Sequence, residues 1–316
     1  MAYYTGTTTS GADLITAIQN AAVANSWVLT SGILSKGNVY AQLSQWNPVI
    51  PDVTPAKGVG IQVGTGASGA ALTGANGNIV GVRTDMDTTY GAVPLVYPCT
   101  YHIFINESPD EIVVAVNYNS LYWQWLAFGQ STTIGITGTG IYCWGSMFPG
   151  TASTDAHAGF TVDSAFGYRN KRPCFYGQIY QRWVIGTNIA SSWIHLDMDS
   201  QDWWGNQFAA QSIVDVYYSV GDILRKQPNT WNSESLLVRT MLLAQRADSF
   251  WSYVAEFPHF RYVRNTFFDD GEVITLGSDD WFVAPIIKKD LDHPLGQDAL
   301  LEYHSGTNGF AVRKTT

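Results

Sequence analysis

From residue 27 onward the chain is written in short runs of β-branched and aromatic residues, broken every few positions by Gly, Pro, Asn or Asp. Such runs are too short and too punctuated for helices, and this pattern confines the chain to a strand-based fold. The clearest stretch predicts strands over residues 101–105, 112–117 and 121–128, separated by 106–110 and by Asn119 with Ser120, which makes a three-strand meander. Residues 261–268 and 272–276 flank Asp269-Asp270-Gly271 and predict a further hairpin, since an Asp-Gly step supplies the positive φ of a tight turn. Helical spacing occurs once with conviction. Ser10 followed by Asp13 resembles a capping box, and Leu14, Ile15, Ile18, Ala21 and Ala22 recur at helical intervals up to Asn25.

The expected class is therefore mainly β, a β-sandwich or mixed antiparallel β lobes, with one N-terminal α-helix. Residues 58–81 and 145–159 are rich in Gly and small residues and read as loops. The second of them suggests a division into an N-terminal helix-plus-meander lobe, 1–150, and a C-terminal β-rich lobe, 151–316. At 316 residues one large domain or two packed lobes both supply enough core. No sequence period suggests a solenoid or propeller.

Charged residues make up 14% of the chain and aromatics another 14%, with 12 Trp and 17 Tyr. A surface low in charge and rich in aromatics suits permanent neighbours or a sugar-binding face. The formal net charge of −9 argues against nucleic acid as a partner, because phosphate neutralisation needs a basic face. Cys99, Cys143 and Cys174 are widely spaced and form no C-x-x-C pair, so neither a disulfide framework nor a cysteine zinc site is expected, and folding in a reducing cytoplasm fits. The polar, Thr-rich start lacks the pattern of a signal peptide, and no apolar run is long enough for membrane insertion.

Gly64-Thr65-Gly66-Ala67-Ser68-Gly69 matches G-x-G-x-x-G and follows a plausible strand from Val59 to Val63, but Gly74, Gly77 and Asn78 oppose the helix a dinucleotide site needs after its third glycine, so no cofactor is expected. The alternating stretch Trp193-Ile194-His195-Leu196-Asp197-Met198-Asp199 would put His195, Asp197 and Asp199 on one face of a strand, with Ile194, Leu196 and Met198 inward. Three such groups can hold a divalent ion, yet any half-exposed strand alternates this way, so no metal site is assigned. Trp123 and Trp125 share a face if residues 121–128 form a strand; one face of that strand is core, the other an interface or a sugar platform. Hydrolase and Walker signatures are absent from the sequence, and most of Glu107, Asp110, Glu111, Asp269, Asp270 and Glu272 fall in predicted turns, where solvated carboxylates are ordinary. No catalytic residue is expected.

Three sets of phrases carry a resemblance. Near the start stand Trp27-Val28-Leu29 and Gly32-Ile33-Leu34-Ser35-Lys36-Gly37 after the helix. In the middle come Tyr101-His102-Ile103-Phe104, Ser108-Pro109-Asp110, Val116-Asn117-Tyr118 and Trp125-Leu126-Ala127-Phe128-Gly129. Towards the end come Pro228-Asn229-Thr230-Trp231-Asn232, His259-Phe260-Arg261-Tyr262-Val263-Arg264, Ile274-Thr275-Leu276-Gly277-Ser278-Asp279-Asp280-Trp281 and His304-Ser305-Gly306-Thr307-Asn308-Gly309-Phe310-Ala311-Val312-Arg313. In this order the set resembles a family of tailed-bacteriophage virion structural proteins of the tail or baseplate. It departs at Ala284-Pro285-Ile286-Ile287, where a more aromatic and basic run is expected. The resemblance implies a non-enzymatic subunit located in the virion, folded in the host cytoplasm, that assembles with copies of itself and other tail proteins. An alternative within the same particle is a receptor- or glycan-binding, or glycan-degrading, tail protein; a capsid or neck position is a third. Trp281 and Phe310 are expected to be buried, with 309–314 as a final strand.

Overall fold

The computed structural model describes residues 1–46, 58–83, 97–146, 192–205, 213–215, 234, 236–248, 250–292 and 305–314. Its first element is a strand not expected from the Thr-rich start, β1 (Ala2–Thr8). The helix α1 (Gly11–Val23) follows and begins as its sequence dictates: the Ser10 hydroxyl accepts from the Asp13 amide at 3.1 Å, and Leu14, Ile18, Ala21 and Ala22 form the buried stripe. Next come β2 (Val28–Thr30), β3 (Ile33–Lys36) and β4 (Val39–Trp46).

The strand expected over Val59 to Val63 forms within β5 (Gly58–Ser68), and the rest of the Gly-rich segment, expected as a loop, instead extends β5 and supplies β6 (Ala71–Ala75) and β7 (Val80–Arg83). Glycine is used here for close approach between backbones: a Cβ on Gly64 would stand 2.7 Å from the Thr73 carbonyl oxygen of the neighbouring strand. The G-x-G-x-x-G phrase thus lies in a strand and the turn after it, with no helix N-terminus behind it.

The expected meander forms as β8 (Cys99–Asn106), β9 (Glu111–Tyr118) and β10 (Tyr122–Gln130). After it come β11 (Thr132–Thr133) and β12 (Ile141–Gly145). Apart from Gly145 and Ser146, the second small-residue stretch lies outside the described residues. The rest of the fold comprises β13 (Ser192–Met198), β14 (Gln201–Gly205), β15 (Ile213–Asp215), β16 (Val238–Gln245) and β17 (Trp251–Arg264), then β18 (Glu272–Leu276), β19 (Asp279–Pro285) and β20 (Asn308–Lys314).

These strands make three antiparallel sheets, and α1 is the sole helix among the described residues. A central sheet runs β1-β8-β9-β10-β12-β13-β14. A second sheet runs β15-β16-β17-β20-β19-β18 with β11 beside β17, and a third runs β2-β3-β4-β5-β6 with β7 beside β5. The central sheet is covered on both faces. Val113, Ala115, Trp123, Trp125 and Trp144 pack with Phe257, Phe260, Phe282 and Phe310 of the second sheet. Ile112, Val114, Val116, Leu126 and Phe128 pack with α1 and with Val59, Ile61 and Val82 of the third. Double burial explains why β9 reads Ile112-Val113-Val114-Ala115-Val116 without polar alternation. Strands from either side of residue 150 lie side by side, Tyr142 opposite Ile194, and the core between the central and second sheets draws on both halves of the chain.

The hairpin expected across Asp269-Asp270-Gly271 does not form. β17 ends at Arg264, and β20 and β19 lie between it and β18. Gly271, at φ +84°, makes a bulge instead: its amide bonds the Val283 carbonyl at 2.8 Å, and Val283 is also the register partner of Glu272. The true hairpin joins β18 to β19 through Gly277 and Ser278. Trp281 and Phe310 are buried as expected, with Phe310 and Val312 in one core, whereas Leu276 is exposed. His304 lies outside the described residues.

Candidate functional site

Strand β13 keeps the predicted alternation. Ile194, Leu196 and Met198 enter the core, His195 is half-buried and Asp197 exposed. The three polar groups nevertheless go to different partners. A register shift follows His195, and Asp197 adopts a left-handed φ of +49°. The neighbouring segment satisfies this irregular stretch: Gly138 and Gly140 donate to the carbonyls of Leu196 and His195, and the Thr139 amide donates to His195 Nδ1 at 3.2 Å. Burial holds His195 below the usual imidazole range, against the opposing pull of Asp202 and Asp197. Asp199 lies beyond the strand in the turn to β14. Its carboxylate accepts from Arg246 Nε at 2.7 Å, from Arg246 Nη2 and from the Ala247 amide at 3.2 Å. The Arg246 hydrogen bonds keep Asp199 below the ordinary carboxylate range, and this pair clasps the central sheet to the second one. Among the described residues no three His, Cys, Asp or Glu side chains gather as metal ligands.

The strongest electrostatic feature was not anticipated. Glu111, expected as a solvated turn carboxylate, is the first residue of β9 and is fully buried. It accepts from the Tyr142 hydroxyl at 2.7 Å and from Asn106 Nδ2 at 3.2 Å. Burial pushes its carboxyl up to about 7, against those two hydrogen bonds and the more distant charge of Arg261. Tyr142 in turn packs on Phe257, with ring centroids 4.4 Å apart.

Opposite stands an irregular part of β17, where the register slips between Arg239 and Thr240 of β16. The carbonyls freed there are retied: Thr240 Oγ1 donates to Phe257 at 3.1 Å and Phe260 at 3.3 Å, and Arg261 Nη1 donates to the same two at 3.0 and 2.8 Å. His259 is buried at this seam beside the carbonyls of Glu107 and Ser108, and among the described residues neither ring nitrogen meets a partner at full hydrogen-bond geometry. Burial, with the charges of Arg313 and Arg261, holds it down at about 4, although the carbonyls of Glu107 and Ser108 favour its charged form. Among the described residues Glu111, Tyr142 and His259 are each buried, so their titrating atoms are shielded from bulk water.

The tryptophans are largely internal. Trp27, Trp123, Trp125, Trp144, Trp193, Trp204 and Trp281 are buried, and Trp203 is part-covered. Both faces of β10 are core, so neither is the free platform the sequence allowed. The indoles of Trp193 and Trp203 donate to Asn78 Oδ1 and to the Gly74 carbonyl, each at 3.0 Å, binding β13 and β14 to the Gly-rich strands. Aromatics open to solvent among the described residues are Phe250, Trp251 and Phe267. Cys99 and Cys143 are free and buried, and burial raises both thiols, Cys99 to about 12; Cys174 lies outside the described residues.

A scan against protein-family models and a search of curated proteins return no match to the chain.

Proposed function

We propose that the chain is a structural subunit of a tailed-phage virion, most naturally of the tail or baseplate, assembling with itself and with other tail proteins. The observation that carries this reading is the ordered resemblance, together with where its described phrases fall. Tyr101 to Phe104 lie in β8, Trp125 to Gly129 in β10, His259 to Arg264 in β17 and Gly309 to Arg313 in β20, so the phrases spell packing elements and not a reaction centre. Enclosure of Glu111 and His259 supports a non-catalytic role. The glycan-reading alternative depends on exposed aromatics, which among the described residues are Phe250, Trp251 and Phe267. No helix among the described residues is long and apolar enough to cross a membrane.

Closed symmetric assembly is expected of such a subunit. Mass spectrometry of purified particles should find the chain in constant proportion to other tail proteins, and sedimentation of the purified chain should show a discrete oligomer. A strictly monomeric chain at high concentration that is also absent from particles would end this reading.

A further inference from the structure

We infer that the open edge of β18 is a docking strand for an extended, lysine- or arginine-bearing segment of a partner protein. β18 ends the second sheet, and among the described residues no strand pairs with its outer side. Leu276 and Asp279 close a two-residue hairpin, so alternation turns the backbone N–H and C=O of Val273 and Thr275 away from β19 and towards that open side.

Unpaired edges are ordinarily guarded by charged side chains, Lys above all, by Pro, a bulge or extreme shortness, and the one charge on β18, Glu272, repels an acidic strand but not a basic one. β18 reads Glu272-Val273-Ile274-Thr275-Leu276, with neither Lys nor Pro, and its bulge at Gly271 precedes the open stretch. Val273 is 38% exposed and Leu276 50%. Of the uncharged edges of the third sheet, β2 offers only three residues, and β6, Ala71-Leu72-Thr73-Gly74-Ala75, has no carboxylate to choose a partner by charge.

Charge selects the occupant. Residues 269–280 contain Asp269, Asp270, Glu272, Asp279 and Asp280 and no Lys or Arg. Arg313 engages Asp279, Lys289 acts on Asp270, and the Thr275 hydroxyl bonds Asp280 at 2.6 Å; the five carboxylates outnumber these two cations, so the local balance stays negative. A second copy placed edge to edge would bring these carboxylates against their own kind, whereas a basic strand would neutralise them while completing the ladder.

This inference rests on the assembly-subunit reading but is tested without particles, so its failure leaves that reading standing. The full chain is titrated with a fluorescent peptide of about ten residues alternating Lys and Val, long enough for one strand. Saturable binding is expected, weakened about tenfold or more by raising salt from roughly 50 to 300 mM and by Val273→Pro, which removes an outward amide. Val273→Lys, which keeps the backbone donor, should weaken it similarly. No binding, equal binding of a Glu-Val peptide, or binding indifferent to both substitutions would overturn the proposal. So would a dimer of the chain that Val273→Lys dissolves, which would assign the edge to a second copy.

Discussion

A Cβ built on Gly145 of β12 would overlap the amide nitrogen, Cα and carbonyl oxygen of Gly81 in β7. The central and third sheets therefore meet backbone to backbone at this pair, where any side chain would hold them apart. Gly145→Ala should destabilise the fold by about 1 to 3 kcal/mol, the usual effect of overpacking a tight contact. Denaturant titration checks this, and an unchanged midpoint would show that the two sheets are not locked there.

Glu111 makes stability depend on pH in an unusual direction. Its carboxyl is raised from 4.5 to about 7, so the folded chain binds the proton more tightly than the unfolded chain does. The stabilisation is complete below pH 4.5, falls as pH rises towards 7 and is gone above it; the difference is about 3 kcal/mol at 1.36 kcal/mol per pKa unit. Glu111→Gln, which stays neutral, should raise stability at pH 8 and leave it little changed at pH 4.5. Melting curves of both proteins across that range test the sign, and a variant less stable at pH 8 would refute it.

His259 works the other way. Its folded value near 4 lies below the ordinary 6.5, so its contribution is present above pH 6.5 and is lost as pH falls towards 4. His259→Gln should flatten the acid side of the stability curve, and an unchanged acid slope would count against a buried neutral ring.

The meander was legible because its turns are short and its runs are rich in β-branched and aromatic residues. The helix was legible through Ser10 and its apolar spacing. What stayed hidden depends on long-range contact. Gly64 and Gly81 resemble loop glycines until the neighbouring backbones are in view. Glu111 resembles a turn carboxylate because nothing local announces Tyr142, 31 residues away, as its partner. The Asp269-Asp270-Gly271 step did supply a positive φ, but for a bulge opposite β19 and not for a hairpin. The aromatic richness, first ascribed to outward surfaces, largely fills the core between the central and second sheets.

The C-terminal strand should be indispensable. β20 lies between β17 and β19, and Phe310 meets Trp125 edge-on with centroids 5.2 Å apart. Phe310→Ala should cost about 3 to 5 kcal/mol, and deletion from residue 304 onward should abolish cooperative unfolding. A truncated chain that stayed soluble with its thermal transition intact would show the strand to be dispensable.

The clasp between Asp199 and Arg246 is partly exposed, so Arg246→Ala should lower stability only slightly, and less at high salt. Zinc or calcium should leave the melting temperature of the intact chain unchanged. A saturable rise that His195→Ala and Asp197→Ala each abolish would place an ion there after all.

The proposal of a virion subunit is tested most directly by electron cryo-microscopy of the assembled particle. The account predicts density in the tail or baseplate that fits the three stacked sheets, with the β18 edge facing a neighbouring protein. A complete tail and baseplate, every density of which is accounted for by other chains, would contradict it.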